Sequence, residues 1–147
     1  MKQVHLVVGV LAIALSGAVA LQGAWGWWQA RSSVWFWRLL RVAQAVIVVQ
    51  VALGGVLVLL GHKPPGLHVI YGILPLLVSL VAEALRAASA QLVLEARGYG
   101  SAHEVGRQPA EEQRAVVAAI LRRELGLMTL AALVIVVLLL RAAQTAG

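Results

Sequence analysis

The chain has 147 residues, 61% of them hydrophobic and 12% charged, with a net charge of +6 and no cysteine. A water-soluble domain of this size could not cover so much apolar surface, so most of the solvent must be lipid. The lack of cysteine excludes disulfides, thiolate metal sites and thiol catalysis, and the placement of the positive charge excludes a nucleic-acid partner in favour of a bilayer.

About twenty apolar residues cross a bilayer core as a helix. Four stretches qualify, at roughly 4–26, 36–61, 66–88 and 124–142. The expectation is a single all-α membrane domain over 1–147: an up-and-down four-helix bundle with a cytoplasmic connection at 89–123. The start, "MKQVHLVVGVLAIALSGAVALQG", resembles a signal peptide ending in Ala18-Val19-Ala20. Its apolar character runs on to Trp25, so it reads as an uncleaved first transmembrane helix.

The first connection, "WGWWQARSSVWFWRLLR", carries all five tryptophans. Indole rings favour the headgroup layer and nearby arginines favour anionic phosphates, so the segment reads as an interfacial belt. Nine of the twelve Lys/Arg fall on that side of a four-pass arrangement, and only Lys2, Lys63 and Arg141 fall on the other. The positive-inside rule then places the chain in the inner (plasma) membrane with both termini and the His62–Pro65 turn outside.

The turn "GHKPPGLHVIYG" holds two of the four histidines beside a double proline. Proline is tolerated in a first helical turn and pushes its predecessor out of helix. Lys63 is therefore an expected break, with His68 about one turn into the third helix. The third connection holds Gly98, Gly100 and Gly106, and Pro109 with Glu111 and Glu112 resembles a helix start. Val116, Val117, Ile120 and Leu121 repeat at helical spacing opposite Arg114, Arg122 and Arg123. That predicts a short amphipathic cytoplasmic helix before the last span, or an extension of that span. His103 reads as a solvated histidine without a partner. The last span, apolar all round, reads as a lipid-facing strut.

Small or polar residues form inward stripes: His5, Gly9, Ala12, Ser16, Ala20 and Gly23 on the first helix, and His68, Gly72, Pro75, Ser79 and Glu83 on the third. On the second, Gln50, Gly54 and Gly61 share a face with Leu57. Small residues let helices approach closely in lipid, where van der Waals packing supplies the association energy. Odd-numbered helices start on one side, so His5, His62 and His68 should share one outer layer. Ionisable side chains at membrane depth are rare and point to function. Two imidazoles on facing helices are one way a bundle holds a metal or heme iron.

The run "QVALGGVLVLLGHKPPGLHVIYG" resembles part of heme A synthase, whose halves are four-helix bundles holding heme near the outer face. Gln50, Gly54 and His68 fall on that family's pattern, and His5 takes the place of its partner ligand. The resemblance covers about residues 1–90. The chain also resembles small bacterial four-pass membrane proteins with an LHxxYG pattern, here Leu67, His68, Tyr71 and Gly72. The resemblance implies heme b ligated by His5 and His68, with Gly9, Gly54 and Gly72 making room for the porphyrin. Lys63 and His62 would stand near its propionates, with Lys2 and Arg141 close in topology. Bis-histidine ligation leaves no open iron position, which implies electron transfer to a quinone or within a larger respiratory membrane complex.

The synthase's catalytic glutamate and cysteine pair are missing: Lys2 stands three residues before His5, and Leu6 follows it. No nucleophile–base pair or phosphate loop points to another enzyme. The alternative is a cofactor-free structural or assembly subunit of a larger membrane complex. A transporter is disfavoured by the lack of an inverted repeat or a midplane charge.

Overall fold

The computed structural model describes residues 1–146. It contains α1 (Lys2–Trp28), α2 (Val34–Leu59), α3 (Gly66–Ala96), α4 (Ala102–Gly106) and α5 (Ala110–Gln144), with no strand among the described residues. All but α4 are long and apolar enough to cross a membrane. The short links at 29–33 and 60–65 force neighbouring helices to run antiparallel. Around the bundle α1 packs on α2 and α5, and α3 packs on α5 and more lightly on α2. Hence α1 and α3, the two histidine-bearing helices that start at the same end, lie diagonally opposite.

Local chemistry explains the boundaries. The Ser33 hydroxyl caps α2 by accepting from the Trp35 amide at 3.2 Å. At the other end of α2, Gly61 adopts φ +87°, a left-handed backbone that glycine alone enters without strain. The amides of Gly61 and His62 then return to the carbonyls of Val58 and Leu57, closing a Schellman turn. Gly61 thus ends the helix and does not extend its packing face, contrary to the sequence expectation.

Of the two forms expected for the amphipathic segment after Pro109, the structure has the extension: the segment makes the first turns of α5, because nothing between Ala110 and Gln144 breaks the helix. Three further expectations are corrected. Helix α3 continues past residue 88 to Ala96. These overhanging ends pair with each other, and α4, capped by Ser101, folds over them to bury Leu94, Val105 and Val116 with Tyr99 and Ile120 alongside. Arg97 and Tyr99 both donate to the Glu112 carboxylate at 3.1 Å. His103 has a partner as well, the Arg107 guanidinium one turn on at 3.1 Å.

The third correction concerns α5, which is the central helix of the bundle. Of its apolar span 44% is buried, against at most 22% in the others. Gly126, Thr129, Ala131, Ala132 and Ala142 keep its sides small enough for α1 and α3 to close in from both flanks. The α1 stripe does pack inward as expected, with Ala12, Ser16, Ala20 and Gly23 buried. Gly23 is indispensable there, since an added Cβ would collide with Thr129 of α5 and approach Phe36 of α2 at 2.8 Å.

Candidate functional site

His5 is the fourth residue of α1, and His68 is the third residue of α3. Sixty-three residues apart in sequence, their rings meet across the bundle with centroids 6.1 Å apart and planes at 68°. Both are half-buried.

Each ring is held by a different helix. His68 Nδ1 donates to the Ala142 carbonyl of α5 at 2.8 Å. A carbonyl can only accept, so this bond places the proton on Nδ1 and leaves the lone pair of a neutral ring on Nε2. That is the arrangement by which metal-binding histidines are commonly oriented, through a backbone acceptor behind the ring. Ala142 lies in the final turn of α5, where its carbonyl lacks the usual amide four residues on; it accepts from the Thr145 amide at 3.2 Å and hydroxyl at 3.1 Å as well as from the imidazole.

His5 is turned toward α2. Its Nε2 lies 3.3 Å from the Gln50 amide nitrogen. Its Cε1 sits against Gly54, where an added Cβ would be 3.3 Å away. Gly9 makes the matching space for Gln50, at 2.9 Å from an added Cβ to the amide nitrogen. Two atoms of this unit, His5 Nδ1 and Gln50 Oε1, are buried without any hydrogen-bond partner. A buried polar atom left unpaired costs about 1–3 kcal/mol, and such atoms in a native fold mark strain or a missing ligand.

The remaining expected site residues divide. Gly72 has nothing within 4 Å of an added Cβ, so the α3 flank of the pair is open. His62 stays at the same end of the bundle but bonds its own helix, Nδ1 to the Leu57 carbonyl at 3.2 Å. Lys63 is exposed in the turn. Deeper in the bundle the interior tightens: a gap lined by Ser16, Gln44 and Ser79 amounts to about 10 Å³. That is barely the space of one water.

Two imidazoles on one ion from opposite sides, with metal–nitrogen bonds of about 2 Å, have ring centres roughly 6 Å apart. The observed ring separation is of that size and the tautomer of His68 leaves its Nε2 unprotonated, while His5 directs its Nε2 at Gln50. His5 fits once its Nε2 exchanges the Gln50 amide for the metal. No group of three or more His, Asp or Glu suited to a bare metal ion occurs among the described residues.

Sequence reasoning found the two rings and their neighbours but missed Ala142, a backbone acceptor that no side-chain pattern can signal. It also missed the second polar assembly, at the opposite end. There the Glu83 carboxylate of α3 accepts from Arg41 at 2.7 Å, from Gln44 at 2.8 Å and from Arg86 at 2.9 Å. Arg86 also lies 3.6 Å from Glu124 of α5 and 5.5 Å over the ring of Trp37. This network ties α2, α3 and α5 together.

No protein-family model, curated protein or solved structure matches the chain.

Proposed function

We propose that this chain binds heme b between His5 and His68 and transfers electrons in the plasma membrane, with the histidine end and both termini on the outer side. The observation that carries the reading is the meeting of two remote imidazoles at 6.1 Å on diagonal helices. The Ala142 carbonyl keeps the His68 ring oriented and its Nε2 available as a donor. Gln50 holds His5 in the absence of a ligand, and the open flank at Gly72 offers space beside the pair. Lys63, exposed in the turn at the same end, supplies positive charge for carboxylates. Heme held by two imidazoles supplies a one-electron couple with no free iron position, which suits exchange with a quinone or with a larger respiratory complex.

The absorbance spectrum of the detergent-purified protein tests this. A Soret band is expected, present in the wild type and lost in both His5→Ala and His68→Ala. Colourless protein that takes up no added hemin would overturn the proposal.

One observation favours a second reading, a structural or assembly subunit without cofactor: Gly9 and Gly54 are already filled by Gln50 and His5. In that case the His5–Gln50 contact simply locks α1 to α2. A colourless protein that co-purifies with a membrane complex would support it.

A further inference from the structure

The arginine-rich end carries a cleft of about 120 Å³ between the α1–α2 connection and α5, lined by Ala30, Ser32, Ala118, Leu121, Arg122 and Leu125. Its depth is marked by tryptophan: Trp25, Trp27, Trp28 and Trp35 are all exposed around this end, and exposed indoles of a membrane helix settle at headgroup level.

One wall is built under strain. Helix α1 ends with the Ala30 and Arg31 amides returning to the Trp27 and Gly26 carbonyls. This turn puts Ala30 at φ +53°, the one non-glycine residue at positive φ among those described. A left-handed alanine costs roughly 1–2 kcal/mol and persists only where its surroundings over-determine it. The turn folds back so tightly that an added Cβ on Gly26 would lie 2.8 Å from the Arg31 carbonyl oxygen.

The opposite wall presents an arginine held in place without an acid. The Arg122 guanidinium carbon lies 5.3 Å from the centre of the Trp27 ring, and the indole is seated on α5 by Gly126, where an added Cβ would approach its Nε1 at 3.1 Å. Stacking fixes the plane of a guanidinium while leaving its N–H groups free in that plane. Arg41, Arg86 and Arg97 are all ion-paired, whereas Arg122 has no ion pair among the described residues. Across the cleft, the Ser32 hydroxyl accepts from Trp37 Nε1 at 2.8 Å, so its own proton is free to donate. Two donors thus border a space whose other walls, Ala118, Leu121 and Leu125, are apolar.

We propose that this cleft seats the phosphate of an anionic phospholipid, bound by Arg122 and Ser32, with its hydrocarbon against the exposed Leu121. Charge complementarity selects the occupant: an unpaired, pre-oriented guanidinium at headgroup depth matches a phosphodiester. The apolar walls beside it favour a phosphate that carries a hydrocarbon chain. The site lies at the opposite end from the histidines and does not depend on heme.

Native mass spectrometry of the full chain, with phosphatidylglycerol or phosphatidylcholine titrated into detergent, tests this. One phosphatidylglycerol should be retained in preference to phosphatidylcholine. Arg122→Gln should weaken it by roughly tenfold or more, the worth of a hydrogen bond to a charged group. Arg123→Gln, which removes the same charge from the neighbouring position, should leave it unchanged. Trp27→Leu keeps every charge but frees Arg122, and should also weaken retention. Equal retention of both lipids, or equal losses in the two arginine variants, would overturn the proposal. Should Arg122→Gln fail to fold, Ser32→Ala decides: lower affinity supports the site, and unchanged affinity overturns it.

Discussion

The two ends of the bundle solve the same problem differently. At the arginine end the polar groups are matched: Glu83 accepts from three donors on two helices, and the largest core cluster, from Val19 and Phe36 to Met128 and Ala132, packs next to it. At the histidine end two polar atoms, His5 Nδ1 and Gln50 Oε1, are buried unpaired, against one, Ser16 Oγ, in the middle of the bundle. In a lipid-facing protein unmatched polar groups have no water to turn to. The first end therefore holds the fold, and the second is where a ligand has most to offer.

This contrast can be broken most forcefully at the packed end. Gly23→Leu drives a side chain into Thr129 and Phe36. Overpacking of this kind costs about 1–3 kcal/mol or more, so a clear drop in the thermal midpoint in detergent is expected. Gly9→Ala should move it far less, because the obstruction there is only the flexible end of Gln50. Equal drops would show that the two ends are packed alike.

A smaller effect is expected from Glu83→Gln. The change strips Arg41 and Arg86 of their shared carboxylate, but Glu83 is 27% exposed and Arg41 51% exposed. The loss should therefore fall between those of exposed and buried pairs, about 1–2 kcal/mol, measured by denaturation in detergent. If heme absorbance is present, it should survive this change, since the network lies at the far end from the rings.

The subtlest test bears on the unmatched end. Gln50→Ala removes the amide that competes for His5 Nε2, a contact worth about 1 kcal/mol. Hemin titration should then show roughly fivefold tighter binding, since about 1.4 kcal/mol corresponds to tenfold. Weaker binding would instead make Gln50 part of the ligand site.

Several of these features were legible in one dimension because they rest on local chemistry. The four spans, the break at Lys63, the small-residue stripe of α1 and the histidine layer all follow from hydropathy, proline and helical periodicity. The role of α5 was not legible. "LGLMTLAALVIVVLLLR" is apolar on every side, and periodicity cannot distinguish a helix surrounded by lipid from one surrounded by helices. Thr129 and the alanine pair at 131–132 were the available signal, since small residues in an otherwise bulky span permit close approach.

The amino-acid order alone thus determined the four apolar spans, the break between the second and third, and that two imidazoles begin helices on one side. Only the tertiary structure decided that α1 and α3 lie diagonally across α5, that Ala142 orients His68, and that Gln50 occupies His5. The reason is physical. Helix formation and turns depend on neighbours along the chain, whereas lateral order in a bundle depends on shape matching between surfaces that are all equally apolar.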